Sequence, residues 1–426
     1  MKTNFLFKLI LLSAILVSAI LGYVACDPDP DPDPDPVPVP VPDPDPVSED
    51  SIEKPSSATF LFDISGSMKG YLQSSGDSRF LGVTTFFENI PSNVVFRLYG
   101  KKMGDPIERA KFNQMLKNRS IKWDDESDLI AMVRSMKARV DTGDHISFLL
   151  TDGILSGSDA DVRNSPDRSY NKIMRQTMSE NLSHLFSSPK DSLCVLIVRY
   201  KAKFRGPYSC YNNSSDSLDN KDRPFFIIAL GKWKYVKYVE QKLIEVKAAN
   251  DGIATPYEDI LMLGDACSYK KVKLSAAEGL NPKNGRLVIK KGYEKESIAL
   301  SADLRQLPAY MQTLDYMKAN IELYVKRASK KEKIAIDKDY YEISVDDAKK
   351  QLRISIKATQ VKEFELIFKL KYAQPEWVEA KSDDDDSDIK RKPLKLDKTF
   401  NLKYLVAGFK NIQKGKYIRE QTLEFK

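Results

Sequence analysis

Histidine is nearly absent from this chain: His145 and His184 are the only two in 426 residues. That scarcity leaves little room for a histidine-ligated metal centre or a serine hydrolase, because general-base work near neutral pH falls most often to imidazole. Cysteine is sparse as well, with four residues, which excludes a disulfide-dense scaffold and a cysteine-rich zinc cluster. Charge of one sign is not in excess. The 67 basic and 60 acidic residues leave a net +7, which describes a mixed, solvated surface and excludes a nucleic-acid footprint. What is present is 42% hydrophobic residues, enough for ordinary globular cores, in a length that suits roughly two to three domains.

The N-terminus is distinctive. Lys2 and Lys8 precede the apolar segment LILLSAILVSAILGYVA, which ends in small residues before Cys26. This resembles a bacterial lipoprotein signal peptide, with Val24 and Ala25 fitting the lipobox and Tyr23 standing where leucine is usual. The resemblance implies that residues 1–25 are removed, that Cys26 is lipidated, and that the protein is anchored to a membrane facing away from the cytoplasm, periplasmic or at the cell surface. The alternative is an uncleaved N-terminal helix, since about 17 apolar residues is the lower limit of a span. Residues 26–56 then carry DPDPDPDPDPVPVPVPDPDP. Proline at every second position fixes φ and removes donors, so polyproline II is expected, and twenty such residues make a stalk of roughly 60 Å. Of the other cysteines, Cys194 lies in the apolar run LCVLIVRY and reads as a buried small hydrophobe. Cys210 and Cys267 sit in polar segments and are candidates for one disulfide.

From 57 to 265 strand and helix patterns alternate. ATFLFDIS, NVVFRLYG, HISFLLTDG, LCVLIVRY and PFFIIALG read as strands. Val83, Phe86, Phe87 and Ile90, then Leu129, Met132, Val133, Met136 and Val140, mark helix faces, as do Met174, Met178, Leu182 and Leu185, and Val236, Val239, Leu243 and Val246. Continuously apolar strands between amphipathic helices predict an α/β fold, a doubly wound, mostly parallel sheet covered on both faces. Ligands of such sheets bind at the carboxyl ends of the strands, where Asp63 and Asp152 fall. The segment between the last two strands lacks helical periodicity and is rich in turn residues, which predicts a long hairpin-like connection.

From 266 to 426 the period becomes two. Ile321, Leu323 and Val325; Leu352, Ile354 and Ile356; Phe364 through Tyr372; and Phe400, Leu402, Tyr404 and Val406 alternate with polar residues. An all-β, sandwich-like C-terminal domain is expected. Within it, SDDDDSDIKRK at 382–392 reads as a solvated loop.

The stretch DISGSM presents Asp63, Ser65 and Ser67 at alternate positions after a strand, so three oxygens can converge. D-x-S-x-S, together with LLTDG later in the chain, resembles von Willebrand factor type A domains, the integrin I-domain family, over residues 57 to about 250. The resemblance implies a metal-ion-dependent adhesion site with Asp63, Ser65, Ser67 and Asp152 as ligands. Ser127, ahead of the Leu129 helix, stands in for the threonine that usually completes the set. Mg2+, or Mn2+ or Ca2+, suits such oxygen donors, and neutral hydroxyls leave the ion electron-poor enough to accept a partner's Asp or Glu carboxylate. Gly66 is expected to allow a tight bend between the serines.

The leading expectation is therefore a metal-dependent protein-binding module, anchored in the cell envelope and serving adhesion or assembly, with no enzymatic activity and no nucleic-acid partner. A structural surface lipoprotein with a non-functional site is the alternative. A hydrolase using Ser65 or Ser67 is disfavoured, because no G-x-S-x-G or S-x-x-K pattern surrounds either serine. His145 is also expected at the opposite strand edge, and His184 mid-helix among core-facing residues.

Overall fold

A computed structural model of the protein describes residues 52–73, 79–124, 128–141, 143–154, 168–187, 193–210, 215–249, 256–264, 272–327, 332–413 and 415–426. The expectations for the signal peptide, Cys26, the stalk, Ser127 and Cys267 lie outside these residues. The described chain belongs to one compact unit, residues 50–426.

The first half comprises β1 (Ser57–Asp63), α1 (Lys69–Gln73), α2 (Arg79–Asn89), β2 (Asn93–Tyr99), α3 (Arg109–Lys117), α4 (Leu129–Val140), β3 (Ile146–Thr151), α5 (Arg168–Leu185), β4 (Leu193–Ser209), β5 (Ser215–Lys232), α6 (Trp233–Ala249) and β6 (Asp259–Gly264). Six strands form one sheet in the order β2-β1-β3-β5-β4-β6. β1 pairs in parallel with both β2 and β3, whereas the β3–β5, β5–β4 and β4–β6 pairs are antiparallel. The sheet is thus mixed, and the expectation of a mostly parallel one is corrected. The cause is the connection between β4 and β5. Without a crossover helix the chain must turn back as a hairpin, and a hairpin makes antiparallel neighbours.

Strand alternation divides the sheet's apolar residues between two cores. Phe60 and Phe62 of β1 join Phe80, Phe96, Phe112 and Phe148 on one face, where Phe96 and Phe112 stack at 4.5 Å between ring centroids. Leu61 faces the other core, with the α4 residues Leu129, Met132, Val133, Met136 and Val140. Asp128 caps α4 by accepting the Ala131 amide at 2.9 Å, which fixes where that helix starts.

The remaining elements are β7 (Ser275–Ala276), β8 (Leu280–Lys283), β9 (Arg286–Ile289), β10 (Ser297–Asp303), α7 (Leu314–Asn320), β11 (Ile321–Lys326), β12 (Lys333–Ala335), β13 (Tyr341–Asp346), β14 (Gln351–Lys357), β15 (Glu365–Lys371), α8 (Trp377–Ala380), β16 (Ser382–Asp383), β17 (Thr399–Phe400), α9 (Leu402–Gly408) and β18 (Tyr417–Glu424). Two antiparallel sheets, β13-β14-β10-β7 and β12-β11-β15-β18, share a core that includes Leu300, Ile354, Leu323 and Phe368. This half is not all-β. Of the alternating Phe400, Leu402, Tyr404 and Val406, Phe400 ends the short β17 and the other three belong to helix α9, whose Leu402, Leu405 and Val406, with Phe409 just beyond it, recur at helical spacing. These residues enter the core that also holds Leu61 and α4, so the segment from Leu402 to Ile412 completes the first sheet's second face. Gly408 makes this possible, since a Cβ there would meet Leu182 of α5 at 2.4 Å.

The acidic run is also not a solvated loop. Asp386 is buried and accepts the Tyr208 hydroxyl at 2.8 Å, and Ile389 is buried in the first core. Lys395 reaches the carbonyl oxygens of Asp385 and Ser387, so an ammonium group sits where the repelling carboxylates need a cation. Residues 382–400 lie as a strap along the β4–β5 hairpin. Arg223 donates to the carbonyls of Lys395, Leu396 and Lys398, while Arg199 donates to Asp259 at 2.7 Å and pairs with the Asp397 carboxylate.

Candidate metal centre

β1 and β3 are neighbouring parallel strands in the register Phe62↔Leu150, so Asp63 and Asp152 leave the sheet side by side at its carboxyl end. Asp63 is 2% exposed and Asp152 6%. After Asp63 the chain turns into a short 3-10 helix, Gly66–Met68, and then α1. The turn is set by Asp63 itself, whose Oδ1 accepts the Ser65 amide at 2.9 Å. Ser65 makes no side-chain cap to the helix that follows. Its hydroxyl instead meets that of Ser67 at 3.1 Å, and Ser67 hydrogen-bonds the Asp152 carboxylate. Asp63 is thus joined to Ser65 through the backbone amide, and the two serine hydroxyls lead on to Asp152.

Two residues outside the expected set complete the arrangement. Thr151 donates its hydroxyl to Asp63 Oδ2 at 2.8 Å and accepts the Gly153 amide at 3.1 Å. Threonine in a strand reads from sequence as an ordinary β-former, so its only signal is its place directly before Asp152. Gly153 has φ of +70°, and a Cβ there would approach the Phe226 ring at 2.8 Å, so the glycine of TDG answers both a backbone and a packing demand. Gly66 does not. Its φ is not positive and a Cβ would meet only Asp124 O at 3.7 Å, which corrects the bend assigned to it.

The segment ahead of α4 crosses the D-x-S-x-S turn. The Asp124 amide donates to Ile64 O at 2.8 Å, and its carboxylate turns away to accept the Lys101 amide. The histidines lie elsewhere. His145 bridges the hydroxyls of Ser57 and Thr59 at the amino end of β1, and His184 is exposed in the last turn of α5, not packed among core residues. Cys210, one half of the candidate disulfide, is buried beside the hairpin, while Cys267 is outside the described residues.

Electrostatics set the character of the site. Burial, and then the charge of Asp152, push the Asp63 carboxyl up to about 7. Burial also raises Asp152, against the Ser67 hydrogen bond, the Ile154 amide and the positive field of Arg223. Among the described residues neither carboxylate forms an ion pair with a lysine or arginine. Two buried like charges hold a proton or attract a cation.

The donor set consists of two carboxylates and two hydroxyls. Among the described residues no three histidine, cysteine, aspartate or glutamate side chains converge. The set suits a hard divalent cation that keeps waters and an exchangeable position, and it lacks the soft donors of a zinc or copper site. The four residues expected as ligands are thus brought together, and the chemistry of their donors fits the ion. Among the described residues no helix is long and apolar enough to cross a membrane. No protein-family model matches the sequence, and no curated protein matches it.

Proposed function

We propose that this chain is a divalent-metal-dependent protein-binding module, similar to von Willebrand factor type A domains in its site, that grips an Asp or Glu carboxylate of a protein partner. One observation carries this reading: two buried, mutually destabilising carboxylates lie at adjacent strand ends, linked through paired serine hydroxyls. Ser65, Ser67 and Asp152 would hold Mg2+, with Asp63 orienting the Ser65 amide and balancing charge. The bound ion would supply an electrophilic position for a partner carboxylate. The protein's own residues hold this frame rigid through Thr151 and the Asp63 turn. The resemblance of the N-terminal segment to a lipoprotein signal supports a lipid anchor at Cys26 and a place in the cell envelope, held off the membrane by the Asp/Pro stalk.

Calorimetric titration of Mg2+ into the protein and its Asp63→Ala variant tests the reading. Saturable binding in the first and none in the second is expected. Equal heats for both proteins, or none for either, would sink it.

A further inference from the structure

The β4–β5 hairpin overruns the sheet. Its last pairing to β3 is Thr151↔Phe226 and its last to β6 is Arg199↔Asp259, yet β4 and β5 continue as a two-stranded ribbon to Ser209↔Ser215, at the end where Asp63 and Asp152 lie. The helix that follows the D-x-S-x-S turn, α1, is seated on this ribbon. Gly70 of α1 comes so close to β4 that a Cβ would stand 2.3 Å from the Phe204 ring, and a Cβ on Gly206 would lie 3.1 Å from Gln73 Oε1 and 3.8 Å from Gly70 Cα. Tyr71 meets Phe204 edge-on at 5.2 Å and Phe225 at 5.6 Å between ring centroids, and its hydroxyl donates to Pro224 O.

The strap at 382–400 holds the same ribbon. Tyr208 of β4 donates to Asp386, the Arg223 guanidinium lies 4.6 Å from the Tyr208 ring centroid while donating to three strap carbonyls, and the Lys390 amide donates to Asp216 Oδ2 at 3.2 Å. Tyr208 in turn stands edge-on to Phe204, 6.4 Å between centroids. A buried chain of contacts therefore leads from Asp386 through Tyr208 and Phe204 to Tyr71 and the serine turn.

We propose that the strap is a positioning element of the metal centre: by pinning Tyr208 it holds Phe204 against Gly70 and Tyr71, and so fixes the turn that presents Ser65 and Ser67. The proposal rests on the metal-dependent reading given above and names how that site is regulated, since lifting the strap lowers its affinity for the ion. Three features favour this coupling. The contact chain is continuous, and a close-packed interior passes a displacement on. Among the described residues no third strand pairs with the ribbon, so its place is set by packing and not by a sheet ladder. Helix α1 has only five residues, too few to hold itself in place by its own hydrogen bonds.

The test is Mg2+ calorimetry on the full chain carrying Tyr208→Phe, which removes the hydroxyl offered to Asp386 and keeps the ring, or Phe204→Leu, which breaks the chain at its middle. Phe368→Leu, in the core of the second half, controls for loss of stability alone. Each of the first two should weaken Mg2+ binding roughly fivefold, whereas Phe368→Leu should lower the urea midpoint and leave the affinity unchanged. Hydrogen exchange of the metal-free protein gives a second readout. The Met68 amide, which donates to Ser65 O at 3.0 Å, should exchange faster in Tyr208→Phe than in Phe368→Leu. Faster exchange there in a protein that binds no Mg2+ would support the coupling and overturn the metal reading. Unchanged Mg2+ affinity in both Tyr208→Phe and Phe204→Leu would overturn the coupling and leave the metal reading standing. So would an equal loss of affinity in Phe368→Leu.

Discussion

The Thr151 hydroxyl donates to Asp63 Oδ2 at 2.8 Å, across the parallel pair of β1 and β3. With the Ser65 amide on Oδ1, both oxygens of this carboxylate are held by the protein before any ligand arrives. Such preorganisation is what lets a site with few charged donors bind a hydrated cation.

Thr151→Val keeps the shape of the side chain and removes the donor. Leaving Asp63 Oδ2 unsatisfied in a buried setting should cost about 1–3 kcal/mol of stability, read by urea denaturation. Mg2+ affinity should fall several-fold in calorimetry. Unchanged affinity would show that Thr151 does not orient the site.

At a carboxyl held at about 7, the proton competes with the metal for the site. A raised carboxylate favours folding of the metal-free protein at low pH, and that contribution is lost as pH rises from the ordinary range near 4 through about 7. Metal binding runs the other way. Mg2+ affinity should rise by roughly tenfold per unit below pH 7 and level off above it, with a proton released on binding. Calorimetry in buffers of different ionisation enthalpy measures that proton, and its absence would contradict the coupling.

Asp397 is the strap's anchor. Burial raises its carboxyl, but hydrogen bonds from Lys201 and Lys381 and the charge of Arg199 outweigh burial and draw it down to about 2. A depressed carboxylate stabilises the fold above its unfolded value near 4, and that stability is lost as pH falls through about 2. Asp397→Asn should cost about 1–3 kcal/mol at neutral pH, because Arg199 keeps only Asp259 as a counter-ion. The variant should also show a shallower loss of stability between about pH 4 and pH 2. Denaturant melts across that range check both effects.

Much of this was legible in the sequence, and the parts that were not have a common cause. The strands of the first sheet are continuous apolar runs, and the α4 face is a clean helical repeat, so periodicity alone finds them. The turn-rich segment between Tyr200 and Pro224 correctly signals a hairpin, but strand order depends on non-local pairing and leaves no local mark. β6, six residues reading DILMLG, is too short an apolar run to separate from a buried helix turn. The stretch FNLKYLVAGF satisfies both periods, and only packing of Leu405 and Phe409 against the second core selects the helix. Charge along the sequence shows SDDDDSD as a repelling run, but not the Lys395 ammonium and Tyr208 hydroxyl that gather it from elsewhere. At the site, D-x-S-x-S and TDG mark four ligand candidates, whereas Thr151 and Arg223 become visible only once strands are neighbours.

Diffraction from crystals of the protein soaked in Mn2+, measured at the manganese absorption edge, tests the central claim most directly. The account predicts one strong anomalous peak within bonding distance of the Ser65 and Ser67 hydroxyls and the Asp152 carboxylate, and its loss in Asp63→Ala. A peak elsewhere, or an Asp63–Asp152 pair that holds a shared proton and no metal, would contradict it.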